Sequence, residues 1–170
     1  MASQLRVDKI LPVDGAPTGG GGGIIQVVQT QKKDTHAMTA TSYTDITNFN
    51  LTITPRFNTS KILIRGIMSV FQISSVDSVV TFRLLRGSTV IGSDSSDNRQ
   101  GICVAYSGST STGHMGTVEF EFLDSPSTTS ATTYKVQHCN DTSGQFNLNT
   151  WPSNDNYRGV SSLTAMEISA

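Results

Sequence analysis

Apolar and polar residues alternate in short runs along most of this chain, the period-two pattern of strands rather than helices. The clearest run surrounds Phe120. Val118, Phe120 and Phe122 fall on one side and Thr117, Glu119 and Glu121 on the other, as expected of a strand with one face on a core and one in water. Lys61 to Ile73 is the strongest apolar run. Ile62, Ile64, Met68 and Val70 share one side of it, and Leu63, Ile67, Phe71 and Ile73 share the other. A strand apolar on both sides needs a cover for its outer face as well as its inner one. The most economical cover is a second copy of the same chain.

Further runs predict the remaining strands. Ile24 begins IIQVVQTQ, with Ile24 and Val28 on one side and Ile25 and Val27 on the other. The pattern breaks from Lys32 to Ala40. Tyr43 to Thr54 resumes it as two short strands with a turn near Thr47 and Asn48, ended by Pro55. Ser78 to Gly92 reads as a hairpin turning at Arg86, Gly87 and Ser88. Ile102 to Tyr106, Ala131 to Cys139 and Gln145 to Thr150 follow, and Val160 to Ile168, carrying Leu163, Ala165, Met166 and Ile168, closes the chain. Roughly a quarter of the residues are Ser or Thr, which suits many short strands. The expected fold is all-β, an antiparallel β-sandwich, with 170 residues enough for one domain and a real core.

Five consecutive glycines, Gly19 to Gly23, divide this head from what precedes it. Such a run cannot form a strand or helix interior by itself. Residues 1–23 are therefore expected to be an extended N-terminal arm and residues 24–170 the β-sandwich. Leu5, Val7, Ile10, Leu11 and Val13 are apolar, but Pro12 and Pro17 forbid a continuous helix across the arm. So short a segment has no core of its own. Those five side chains are the expected attachment to a larger particle.

Composition removes several functions. Charged residues make up 15% of the chain and the formal net charge is -1, so there is no electrostatic footprint for nucleic acid or an anionic membrane. No apolar run reaches the length of a membrane-spanning helix, and Arg6, Asp8 and Lys9 interrupt the N-terminus where a signal peptide needs an apolar core. Cys103 and Cys139 lack the dense paired spacing of a disulfide framework and read as two buried thiols. His36, His114 and His138 show no metal-ligand or triad spacing, and no phosphate loop, nucleophile elbow or zinc signature is present. Asp94, Asp97 and Asn98 lack the glycine and terminal Glu of a calcium loop. The expectation is a protein without catalysis, metal or cofactor that presents loops from a rigid scaffold. Tyr106, His114, Trp151, Asn154, Asp155, Tyr157 and Arg158 are the candidate contact residues on those loops, because aromatic and Arg side chains dominate binding hot spots.

In order along the chain, LRVDKILPVDGAPTGGGGGIIQVVQ, ITPRFNTSKILI, FRLLRGSTVIG, FLDSPSTTSATTYKVQ and SSLTAMEI resemble, over nearly the whole sequence, small tail-fibre-like virion proteins of marine tailed bacteriophages. The strand order is also similar to the jelly-roll heads of tumour necrosis factor-like and complement-type proteins. The resemblance implies a virion surface protein, made in the host cytoplasm and joined by its arm to other virion proteins of the tail or capsid. It further implies a homotrimer packed around a three-fold axis. Ile64, Met68, Val70, Met166 and Ile168 are the expected trimer contacts, and a host glycan or protein the expected partner of the loops. A capsid-decorating or head-fibre protein without a receptor role, or a stand-alone carbohydrate-binding module, are the competing readings.

Overall fold

The computed structural model describes residues 23–73, 78–93, 101–107, 115–141, 144–151 and 157–169, with the side chains of 106 and 107 left out. Eleven strands make up these residues: β1 (Ile24–Lys32), β2 (His36–Met38), β3 (Thr44–Ile53), β4 (Lys61–Gln72), β5 (Ser78–Arg86), β6 (Thr89–Ile91), β7 (Cys103–Ser107), β8 (Met115–Asp124), β9 (Thr132–Asn140), β10 (Phe146–Leu148) and β11 (Ser161–Ile168). All named pairings are antiparallel.

Sheet A has four columns. β1 and β2 lie end to end along β11 and β10, which lie end to end along β4, and β8 pairs with the far edge of β4. Sheet B follows the same plan: β3, β9, β5, then β7 and β6 end to end. The chain crosses between sheets after β2, β3, β4, β7, β8 and β9, which produces the order of a double-sheet jelly roll. The all-β sandwich expected from the alternation is therefore the observed fold.

Side chains from the two inner faces form one core. Ile62, Ile64, Met68 and Val70 of β4 interleave with Phe49, Leu51 and Ile53 of β3, Val80, Phe82 and Leu84 of β5, Tyr134 and Val136 of β9, and Leu163 and Ala165 of β11. Burying one such aliphatic or aromatic side chain is worth about 1.5–3 kcal/mol. Gly66 belongs to the inward set of β4, and the ring of Phe120 occupies the space its Cβ would need. A side chain at 66 therefore requires the Phe120 ring to shift.

Two local expectations are corrected. Tyr43 to Thr54 is one strand rather than two: Asn48, at φ 59, forms a bulge within β3 between the Asp45 and Asn50 pairings, and its left-handed backbone shifts the register without ending the strand. The segment from Lys32 to Ala40 is not wholly irregular, because β2 pairs with β10 through Met38 and Phe146. The turn at Gly87, φ 60, closes the β5–β6 hairpin as expected.

Candidate subunit face and loop end

The two outer faces of the sandwich differ. On sheet A, residues of four adjacent strands stand directly opposite one another in rows. Val27, Met166, Leu63 and Leu123 form one row across β1, β11, β4 and β8. Ile24 and Ile168 form the next, beside Lys61. Ile24 and Val27 are each 58% exposed and Leu123 47%, while Leu63, Met166 and Ile168 are half-buried. Cross-strand neighbours in one row have Cβ atoms about 5 Å apart, so these side chains make a continuous apolar band. The adjoining row is polar: Gln29, Thr164, Arg65 and Glu121. Beyond it Arg65 reaches Glu119 at 3.3 Å, beside a shallow open hollow.

Sheet B shows water a different surface. Arg83 Nε donates to Gln137 Oε1 at 2.7 Å, Gln137 Nε2 donates to Asp45 Oδ1 at 2.6 Å, and Lys135 Nζ lies 2.8 Å from Asp45 Oδ2. The Arg83 guanidinium also sits 3.9 Å over the ring of Tyr43, in the range of a cation–π contact. Hydrogen bonds from Lys135, the largest effect, and from Gln137 hold the Asp45 carboxyl below its ordinary range. Thr52 and Thr133 share a hydrogen bond of 2.8 Å. Val104 is an exposed aliphatic residue here and Leu85 stands opposite Val90, but among the described residues no exposed apolar row crosses all the strands.

Ile64, Met68 and Val70 do not reach the outer face. They are 0, 0 and 4% exposed within a single chain, so the expectation that they touch a neighbouring subunit is corrected. Met166 and Ile168 do face outward. Leu63 and Leu123 complete the band but were missed, because alternation separates the residues of a strand into two sets without saying which set faces the core.

At one end of the sandwich the chain returns over β4. Thr150 pairs with Arg158, the Trp151 amide donates to the Tyr157 carbonyl at 3.2 Å, and the two rings meet edge to face with centroids 6.4 Å apart. Gly159 lies against Ser69, where an added Cβ would come within 2.5 Å of the serine Cβ. Asn149, at φ 65, holds this return: its Nδ2 donates to the carbonyls of Lys32 and Asp34 at 2.7 and 3.1 Å, and Ser161 Oγ donates to its Oδ1 at 2.7 Å. Tyr157 and Arg158 are exposed and Trp151 is half-buried. Leu5, Val7, Ile10, Leu11, Val13, His114, Asn154 and Asp155, and the side chain of Tyr106, lie outside the described residues. So does the run containing Asp94, Asp97 and Asn98.

The cysteines occupy opposite faces of sheet B. Cys103 stands opposite Phe82, an inward residue, whereas Cys139 stands opposite Thr81, whose side chain points the other way. With β5 between them they cannot pair in this fold. Burial pushes the Cys103 thiol up to about 12, so it is not a nucleophile near neutral pH. Among the described residues, no group of three His, Cys, Asp or Glu side chains is placed to hold a metal ion.

No family model and no curated protein matches the chain. Among solved structures it is similar to proteins of infectious bursal disease virus. The Gx strain structure aligns at 12% identity and TM-score 0.43, over 96% of this chain and 44% of the viral one. The Gt strain structure aligns at 14% identity and TM-score 0.44, over 98% and 43%. A T13 viral particle of the same virus aligns at 12% identity and TM-score 0.44, over 96% and 41%. The chain thus spans about two fifths of the length of these proteins.

Proposed function

We propose that this protein is a non-enzymatic structural protein of a bacteriophage virion, a fibre-like homotrimer assembled through the outer face of sheet A. The observation that carries the reading is the contrast between the faces: a registered apolar band on sheet A and a network of charge-assisted hydrogen bonds on sheet B. Contiguous exposed apolar surface is a mark of protein contact. A band running off both sheet edges fits another protein better than a small molecule, which needs a concave site. The blocks of sequence that resemble tail-fibre-like virion proteins supply the setting. In it, residues 1–23 attach the head to other virion proteins, and the loops around Trp151, Tyr157 and Arg158 are left to contact a host glycan or protein.

A capsid-decorating role without receptor binding is the second reading. It is favoured by the use of the Trp151 ring within the chain, where it packs edge-on against Tyr157. Three experiments test these readings. Light scattering on the purified protein is expected to give three times the chain mass, and a monomer at micromolar concentration overturns the assembly. A chain lacking residues 1–22 is expected to melt like the full chain yet be absent from purified particles. Replacing Tyr157 and Arg158 by Ala should slow phage adsorption to host cells, and unchanged adsorption with an intact trimer selects the decoration reading.

A further inference from the structure

His36 and His138 are 102 residues apart in sequence, and the fold brings their Nε2 atoms to 3.4 Å. His36 lies on the three-residue strand β2 of sheet A, and His138 on β9 of sheet B, so the contact bridges the sheets. The rings meet edge to face, with centroids 5.3 Å apart and planes at 74°. His138 is 1% exposed and its Nδ1 has no hydrogen-bond partner, whereas His36 is half-buried.

These facts decide where the protons sit. A buried N–H without an acceptor costs more than a bare lone pair. On that ground we assign the His138 hydrogen to Nε2, pointing at Nε2 of His36, and leave Nδ1 unprotonated. His36 then holds its own hydrogen on Nδ1, on the ring that reaches water. A second proton has no good place to go. On His36 Nε2 it would meet the Nε2 hydrogen of His138 head-on, and on His138 Nδ1 it would create a buried charged donor with no acceptor.

We propose that His36 and His138 form a one-proton latch between the two sheets, closed while a single proton lies between them and opened in acid by a second. The groups around the pair reinforce this. The Lys32 ammonium disfavours charge on His36, and the Asp34 carboxylate, itself bound to Lys32 at 2.8 Å, opposes it only in part. Leu148 stands opposite His36 on β10, and Thr44 and Phe82 stand opposite His138 on β3 and β5, so these partners supply no countercharge. Asp45, Arg83 and Lys135 pair with one another on the outer side of sheet B. Burial, followed by the neighbouring imidazole, pushes His138 down to about 4, and burial also lowers His36.

When the latch opens, His36 turns to water and takes β2 with it. β2 is short and lies at the sheet edge, where local opening is easiest. The break stays local because Asn140 anchors the chain at the end of β2 and beyond it, its Nδ2 donating to the Met38 carbonyl at 2.8 Å and its amide to the Ala40 carbonyl at 2.8 Å.

The test is an NMR titration of the imidazoles together with amide hydrogen exchange, on the full chain and on the His36→Gln variant. In the full chain His138 is expected to titrate near pH 4 rather than near 6.5. Exchange at His36 to Met38, corrected for its intrinsic rate, should rise at least about tenfold between pH 7 and pH 4.5 while β4 stays protected. In His36→Gln, which leaves His138 an uncharged acceptor, the His138 titration should move upward and the local rise in exchange should shrink, while burial still keeps His138 below its ordinary value. An ordinary His138 titration in the full chain overturns the latch. So does a variant that behaves like the full chain in both measurements.

Discussion

Arg86 on β5 of sheet B holds Asp124 at the end of β8 in sheet A, with Nη1 2.8 Å from Oδ1 and 3.0 Å from Oδ2. The carboxylate also accepts the hydroxyl hydrogen of the buried Tyr134 at 2.7 Å. One nearly buried acid therefore ties three strands and both sheets. Burial and the neighbouring carboxylate push the Tyr134 hydroxyl well above its ordinary range, so it remains a donor at neutral pH.

Asp124→Ala should cost about 3 kcal/mol of stability, since it strands a buried hydroxyl and a partly buried guanidinium. Tyr134→Phe should cost about 1 kcal/mol, the net worth of one hydrogen bond. Urea unfolding of the two variants beside the parent measures both, and equal costs would show that Arg86 contributes nothing through Asp124.

Gly66→Ala should destabilise by about 1–3 kcal/mol, the usual range for overpacking a filled core. The added methyl group overlaps the Phe120 ring, and that ring has the core on its other side. Gly66→Ala combined with Phe120→Leu should recover part of the loss. Thermal melting of the single and double variants reads this coupling, and additive losses would place the strain elsewhere.

Glu167 predicts a pH dependence distinct from that of the histidine pair. It is fully buried; burial alone would raise its carboxyl, but hydrogen bonds from Gln26 and from the amides of Arg56, at 2.7 Å, and Phe57 hold it below its ordinary value. With the folded value below the unfolded one, this stability is present above the unfolded value near 4.5 and is lost as pH falls through the folded one. Glu167→Gln should lower the urea midpoint at pH 6 by an amount that shrinks toward pH 3. A constant difference across that range would mean that the carboxylate is not the group responsible.

Met68 and Met166 should respond to the same substitution in different ways. Met68→Glu buries a carboxylate among Ile64, Val70 and their neighbours and should unfold the head. Met166→Glu alters the half-buried band and should leave the melting transition of the head within about 1 kcal/mol while reducing the mass seen by light scattering. If both variants unfold, the band belongs to the fold of the single chain.

Alternation alone determined that the chain is a sandwich and where most strands lie. Val118, Phe120 and Phe122 against Thr117, Glu119 and Glu121 is a local pattern, set by the pleat, that any strand packed on one side must show. The hairpin at Gly87 was legible for the same reason, since the left-handed backbone of one residue marks it. Other features depended on what lies far along the chain. In β4 both sets of side chains are apolar, and only the position of sheet B makes Ile64, Met68 and Val70 core and leaves Leu63 beside Met166. Asn48 read as a turn because its neighbours are polar, but pairing with β9 continues on either side of it. His36 and His138 looked unrelated in sequence, as did Arg86 and Asp124. Their contacts exist because the jelly roll folds β2 over β9 and brings the end of β8 beside β5. Spacing along a chain carries no record of a partner that arrives from the opposite sheet.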